Sequence, residues 1–369
     1  MNPYLIYILE RDQCYTILGC NLQLTVFDMH FAFSADVQCS KTHSNTSCLF
    51  AIRIVREYQF PLRVIIPSLG GIFVEKKGAL GNILIIIAGL FWGSMGIFVR
   101  HLNDLGFTSI QVACLRLTTA GILFALILLI KDPKGFKIKV RDIPLFLALG
   151  LVSILFFTCC YFTAIRLMTM STAAILLYTS PIWVMILAII FLKEKITVQK
   201  IIALILAFAG CILVSGFGGK VTVAGILAGL GSGLGYGLYS IFGTFALKKY
   251  SPLTVTCFTF LIAGLGSIVV SDPVDLVSKI TSADNMLSLS GFVLLTSVVT
   301  AVIPFLLYTL GLNMTTASKA AVLATVEPAA ATLFGFFVMK ETVGLTAIAG
   351  IVLVFAAIVV LSVKQGEKA

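Results

Sequence analysis

Two ionisable side chains lie deep inside long apolar runs of this 369-residue chain. Arg116 stands about eight residues, or ~12 Å, from one end of an apolar window at 108–130, and Glu327 about nine residues, or ~14 Å, from one end of a window at 318–339. In a hydrocarbon core ~30 Å thick both fall near the middle, where a charge costs a few kcal/mol unless it is paired or faces a cavity. Two roles suit them. Lining a central cavity, Glu327 binds a substrate amine or carries a coupling proton while Arg116 holds a carboxylate; alternatively, the two form a buried ion pair that joins two halves of the molecule without touching substrate. Pro328 follows Glu327 in "VEPA", and Pro181 sits in the related stretch "TSPI". Each proline removes a backbone donor and bends its helix, which either shapes a midplane site or hinge or makes a static kink.

Trp92, Tyr178 and Tyr308, together with Tyr161, Tyr236 and Tyr239, offer aromatic surface to a ligand, although such rings also fill interfaces and cores. Gly225, Gly229, Gly233 and Gly237 recur every four residues and form a small-residue stripe on which a neighbouring helix can pack closely or slide. Other chemistries lack their motifs. No H-E-x-x-H or acid cluster supports a metal centre or hydrolytic site, and "GFGGKVT" misses the first glycine and final hydroxyl of a phosphate loop. The chain therefore reads as a non-enzyme with no metal, no cofactor and no catalytic residue.

The elements that must position these residues follow from composition. Hydrophobic residues make up 59% of the chain and charged residues 11%, with a mean hydropathy of +1.08. That balance lies far outside the globular range and marks an integral membrane protein. Apolar windows occur at 81–100, 108–130, 143–165, 170–192, 197–216, 222–246, 252–270, 287–311, 318–339 and 343–363. The predicted fold is an all-α polytopic bundle of ten transmembrane helices. The net charge of +10 does not point to nucleic acid, because the basic residues sit between the windows. From residue 76 onward, fifteen Lys and Arg fall in one set of alternate connections and ends; five (Arg100, Arg166, Lys220, Lys279, Lys340) fall in the other. The positive-inside rule then places both ends of the ten-helix region in the cytoplasm, in a multi-pass protein of the cell (inner) membrane.

Residues 1–75 differ in kind. They lack a clear period and carry four of the nine cysteines, Cys14, Cys20, Cys39 and Cys48, at spacings unlike a zinc site. "MNPYLIYILERD" has no basic leader and only a short apolar block, unlike a signal peptide. The segment reads as an N-terminal appendage with unpaired thiols, an upstream translated region ahead of a working chain that begins near Leu69 or Val74. Residues 364–369 read as a cytoplasmic tail.

Residues 161–210 align without a gap on 308–357 at an offset of 147. Tyr161 falls on Tyr308, Ser171 on Ser318, Pro181 on Pro328, and Lys193-Glu194 on Lys340-Glu341. "FWGSMGIFV" (91–99) similarly matches "GYGLYSIFG" (235–243) at an offset near 144. Two five-helix units result, 80–216 and 222–363. Because five is odd, the second enters the membrane in the opposite sense, as an inverted repeat.

With "WGS" at 92–94, Arg116, the two mid-span prolines and a Glu closing each of those spans (Glu194, Glu341), the chain resembles the drug/metabolite transporter superfamily with two EamA-type repeats. The resemblance covers about residues 80–363. "GYGLYS" departs from it, since a Trp is frequent there in relatives. It implies a ten-helix inner-membrane carrier, often an exporter of amino acids, other metabolites or drugs. The expected function is secondary transport of a small molecule across the lipid bilayer by alternating access, compatible with proton coupling and with a homo-oligomer. The alternative is a flippase accessory or membrane enzyme acting on a lipid-linked substrate. It ranks lower because only five Lys or Arg face the outer side, where a headgroup would need them.

Overall fold

The computed structural model describes residues 78–216, 221–282 and 285–362, and the backbone of three strands between residues 14 and 39. It divides into two units, Met1–Glu75 and Lys76–Ala369. In the first, strands β1 (Cys14–Ile17), β2 (Cys20–Val26) and β3 (Phe33–Cys39) pair antiparallel in that order. This small sheet joins hairpin neighbours, with Cys14 opposite Gln23 and Val26 opposite Phe33. The expectations for the thiols of residues 1–75, for Lys220 and for the tail at 364–369 fall outside the described residues.

The second unit is built from ten helices long and apolar enough to cross a bilayer. They are α1 (Gly78–Asp104), α2 (Ser109–Lys131), α3 (Val140–Leu167), α4 (Met170–Leu192), α5 (Val198–Ser215), α6 (Val223–Leu247), α7 (Pro252–Val270), α8 (Met286–Leu312), α9 (Ala317–Met339) and α10 (Leu345–Ser362). All ten windows of the sequence become helices. Hydroxyl residues start several of them: Thr108, Thr197, Thr222 and Ser251 each accept the N–H of the third helical residue, and Thr108 completes a capping box with Gln111. Among the described residues, one α-helix has no counterpart among the windows. Pro273–Thr281 is too short to span and buries Leu276 while exposing Val274 and Val277. Its Asp275 meets Lys279 at 2.6 Å and the Gln111 amide at 2.7 Å, contacts that hold the Asp275 carboxyl below the usual carboxylate range.

The paired Lys-Glu motifs turn out to be helix stops. Lys193 and Lys340 adopt left-handed φ of 54° and 60°, and the next N–H in each case turns back, from Glu194 to the Ala188 carbonyl and from Glu341 to that of Gly335, both at 3.1 Å. Since 188 + 147 = 335 and 193 + 147 = 340, the same termination is built twice.

The inverted repeat is equally visible in packing. The Gly225, Gly229, Gly233 and Gly237 stripe of α6 lies against Met168 and α4, and a Cβ on Gly233 would stand 2.8 Å from the Leu176 carbonyl oxygen and 3.1 Å from that of Leu177. On Gly237 it would stand 3.2 Å from the Ser180 oxygen. In the other repeat α1 presses on α9 in the same register. A Cβ on Gly89 would meet the Ala324 oxygen at 3.3 Å, and one on Gly93 the Glu327 oxygen at 2.9 Å. Gly89 and Gly93 precede Gly233 and Gly237 by 144, while Leu177 and Ser180 precede Ala324 and Glu327 by 147. Both seams join one repeat to the other. Helices α5 and α10 cross where Gly210 and Gly350 face each other, each too close to the other's carbonyl oxygen (2.8 and 2.7 Å) to admit a Cβ.

Backbone neighbours cannot give way as a side chain can, so Gly93→Ala and Gly233→Ala are expected to destabilise the bundle by about 1–3 kcal/mol. Gly96 has open space around its Cβ position, and Gly96→Ala should be neutral or stabilise by up to ~1 kcal/mol. Thermal unfolding of the purified variants in detergent checks the contrast.

Candidate functional site

The spans holding the two prolines are interrupted near their middles. In α9 the residues Ala317–Ala324 form one helix and Val326–Met339 another, with the break at Thr325. In α4, Met170–Leu177 gives way to a helix opening at Ser180, with Tyr178 and Thr179 between. The expected bend is therefore a break, and each proline begins a half-helix instead of kinking a continuous one. Pro181 and Pro328 occupy its second and third residues, where the N–H has no intrahelical partner anyway, so the missing donor costs little. Carbonyls freed by the breaks are recaptured locally. The Thr179 hydroxyl donates to the Leu176 oxygen and the Thr325 hydroxyl to the Val322 oxygen, each at 2.6 Å.

A break in mid-span creates a helix N-terminus there, with free N–H groups and the positive end of a helix dipole. Glu327 lies in the first turn of the Val326–Met339 half-helix. The dipole favours its carboxylate, which answers in part why an acid is tolerated next to a proline at this depth. Glu327 is half-buried, and the Tyr236 hydroxyl donates to its carboxylate over a long 3.5 Å. It lies within electrostatic range of Arg116 on α2, Tyr161 on α3, Tyr178 on α4, Cys211 on α5 and Tyr236 on α6. Five spans thus converge on one carboxylate.

Arg116 and Glu327 do not form an ion pair. The pairs among the described residues are Arg100–Glu341, Lys200–Glu194, Lys249–Asp142 and Lys279–Asp275. Arg116 is buried, with Nη1 at 2.6 Å from the Met95 sulfur, a weak acceptor, and Nε without a partner. The ion pair expected as one alternative is absent in this conformation, and the guanidinium meets Met95 of α1 instead.

The aromatic residues divide between those that pack the core and those close to Glu327. Trp92 and Tyr236, equivalent at the 144-residue offset, face each other edge to face with centroids 6.1 Å apart. Trp92 is buried against Phe305 (5.0 Å) and Tyr308 (5.4 Å) of α8, while half-buried Tyr236 leans on Phe157 (5.4 Å) of α3. Tyr308 is spoken for: its hydroxyl shares a 2.7 Å hydrogen bond with Ser240, next to the 2.6 Å bond between Tyr239 and Thr309. Both bonds tie α6 to α8. Tyr178 is buried at the α4 break. Tyr236 as the hydrogen-bond partner of Glu327 was not singled out from the sequence, although its register opposite Trp92 was a usable signal.

Comparison with known proteins adds the following. A family model described as the EamA-like transporter family matches residues 79–216 and 223–363. An uncharacterized transporter of Archaeoglobus fulgidus is 28% identical over 77% of this chain and 99% of its own length. The uncharacterized transporter YwfM of Bacillus subtilis is 25% identical over 78% of this chain and 95% of its own. A solved crystal structure with 16% identity superposes with a TM-score of 0.63 over 76% of this chain and 96% of that one, a likeness of fold.

A hydroxyl engaged in the α6–α8 contact should behave as structure. Tyr308→Phe and Ser240→Ala are each expected to lower stability by about 1 kcal/mol, and the double variant to cost little more than either alone. A thermal double-mutant cycle measures the coupling.

Proposed function

Because the chain belongs to the EamA-like transporter family, we propose that it is a secondary carrier that exports a small metabolite, amino acid or drug by alternating access, with Glu327 at the centre of the solute path. The observation that carries this reading is the half-buried Glu327 at the head of a broken mid-span helix, in electrostatic reach of five other spans. Such discontinuous helices suit midplane binding, since their ends present polar backbone where a continuous helix would not. In this role Glu327 takes up a substrate amine or a coupling proton, and the Tyr236 hydroxyl steadies its charged form. Arg116, whose Nε has no protein partner, holds a substrate carboxylate. The glycine seams α1–α9 and α4–α6 both run between repeats, so they are the surfaces along which one repeat would rock on the other. In this reading residues 80–216 and 222–363 are the two working repeats and residues 1–75 an appendage. The lysine-rich connections face the cytoplasm of a cell whose inner membrane the protein crosses.

Reconstituted vesicles loaded with a panel of amino acids and cationic drugs, with and without a proton gradient, test the reading. Glu327→Gln and Arg116→Gln are each expected to slow transport by at least about tenfold, the loss of one hydrogen bond to a charge, while the proteins remain monodisperse. Parental rates in the double neutral variant would remove both residues from the solute path.

A further inference from the structure

The two helix-stop glutamates, equivalent by the repeat, are doing different things. Glu194, at the end of α4, reaches across to the N-terminus of α9. One carboxylate oxygen accepts the Ala317 N–H at 2.8 Å, and the other accepts the Ser318 hydroxyl and Lys200 Nζ at 3.2 Å. Lys200 Nζ also donates to the Ser318 hydroxyl at 2.8 Å. The cluster is shielded, with side-chain exposures of 10% for Glu194 and 14% for Lys200. The N-cap residue Thr316 makes no side-chain cap bond of its own, so Glu194 is the cap, supplied from the other repeat.

Subtracting 147 from Ala317 and Ser318 gives Met170 and Ser171, the start of α4, and adding it to Glu194 gives Glu341. If the repeats were in the same state, Glu341 would sit on Met170 and Ser171. Instead it pairs with Arg100 of α1 at 2.6 Å, in the open, with exposures of 53% for Arg100 and 47% for Glu341. The α4 N-terminus is capped by its own Thr169, which accepts the Thr172 N–H at 3.3 Å. Contact between the end of α4 and the start of α9 also requires that these helices run antiparallel, so the two glutamates lie on opposite faces of the bundle.

We propose that Glu194 and Glu341 are alternating latches: Glu194 seals one face by capping α9, and in the opposite state Glu341 leaves Arg100 to seal the other face by capping α4 at Met170–Ser171. This rests on the alternating-access reading above and adds to it the residues that hold each state. The energetics favour exchange over a permanent lock. A shielded carboxylate on a helix N-terminus gains charge-assisted hydrogen bonds and the dipole, whereas the half-exposed Arg100–Glu341 pair is weak and readily given up. Lys200 has Ala347 as its counterpart, so the Glu194 latch carries an extra cation and is the stronger, in agreement with its being the one engaged. Opening it requires Glu194, Ser318 and Lys200 to part together.

The test is carried out on the full chain in vesicles, with Tyr161→Cys as a reporter of water access to the chamber and a membrane-impermeant thiol reagent applied to one face at a time. The chain without the reporter supplies the background from native cysteines. Glu194→Gln should raise labelling from its own face about tenfold, and Glu341→Gln should lower labelling from that face and raise it from the opposite one. Shifts of the same sign in both variants, or no shift in either, overturn the proposal. A second measurement gives an independent readout, with monodispersity in detergent checking that each variant is folded: a Ser171→Cys, Glu341→Cys pair should form a disulfide under oxidation, and about tenfold faster when Glu194→Gln is added. Failure to cross-link in that background also overturns it. Uptake of the amino-acid and drug panel by the chain without the reporter separates the two readings. Transport with no opposed shift removes the latches alone, and opposed shifts without transport remove the carrier assignment alone.

Discussion

A backbone N–H or carbonyl left unpaired in hydrocarbon costs several kcal/mol, and the architecture follows from where this chain accepts that risk. The ladder is interrupted before Pro181 in α4 and before Pro328 in α9, and also at Ser94 in α1, where no proline follows. The interruption is survivable because Thr179 and Thr325 recapture carbonyls and because glycines let another backbone close over the gap. Gly233 and Gly237 lie on Leu176 to Ser180, and Gly89 and Gly93 on Ala324 to Glu327. Each proline break is thus roofed by the first helix of the opposite repeat. Close-packing glycines and a half-helix proline meet at both breaks.

Duplication explains why this arrangement appears twice, but the departures from symmetry are more informative about function. Ser180 and Glu327 occupy equivalent half-helix starts, yet only the second carries charge. Trp92 and Tyr236 meet across the repeat boundary, and only the tyrosine brings a hydroxyl to Glu327. Lys200 strengthens one end-of-span glutamate where the other has Ala347 and borrows Arg100. Under the alternating-access reading proposed above, a symmetric scaffold with asymmetric polar groups would have two related conformations of unequal energy. That is the condition for a population that can be shifted by a bound solute or proton.

Much of this was legible in the residues. Apolar length fixed the number of spans, and the 147-residue register carried the inversion, because prolines and Lys-Glu pairs do not align by composition alone. What escaped was geometry decided by packing. A mid-span proline reads as a bend, since nothing in "TSPI" or "VEPA" says that the turn before it has already come undone. The Pro273–Thr281 helix falls below any spanning window, and its amphipathic pattern is too short to stand out. Similar depth placed Arg116 and Glu327 together, but depth is one coordinate of three. Met95, which occupies the guanidinium, could not be located opposite α2 without the fold.

The unpaired state of those two charges is itself an argument about the chamber. Were Arg116 and Glu327 joined, their attraction would offset desolvation and the pair would act as a fixed strut. Held apart, each keeps donors or acceptors that protein atoms do not fill: Arg116 has a thioether and an empty Nε, and Glu327 has one long bond from Tyr236. At mid-membrane depth such groups persist only where water or a polar solute reaches them. Under the carrier reading proposed above, the incomplete burial of Glu327 and Tyr236, with the Glu327 span broken at that level, is what a wetted solute path would require.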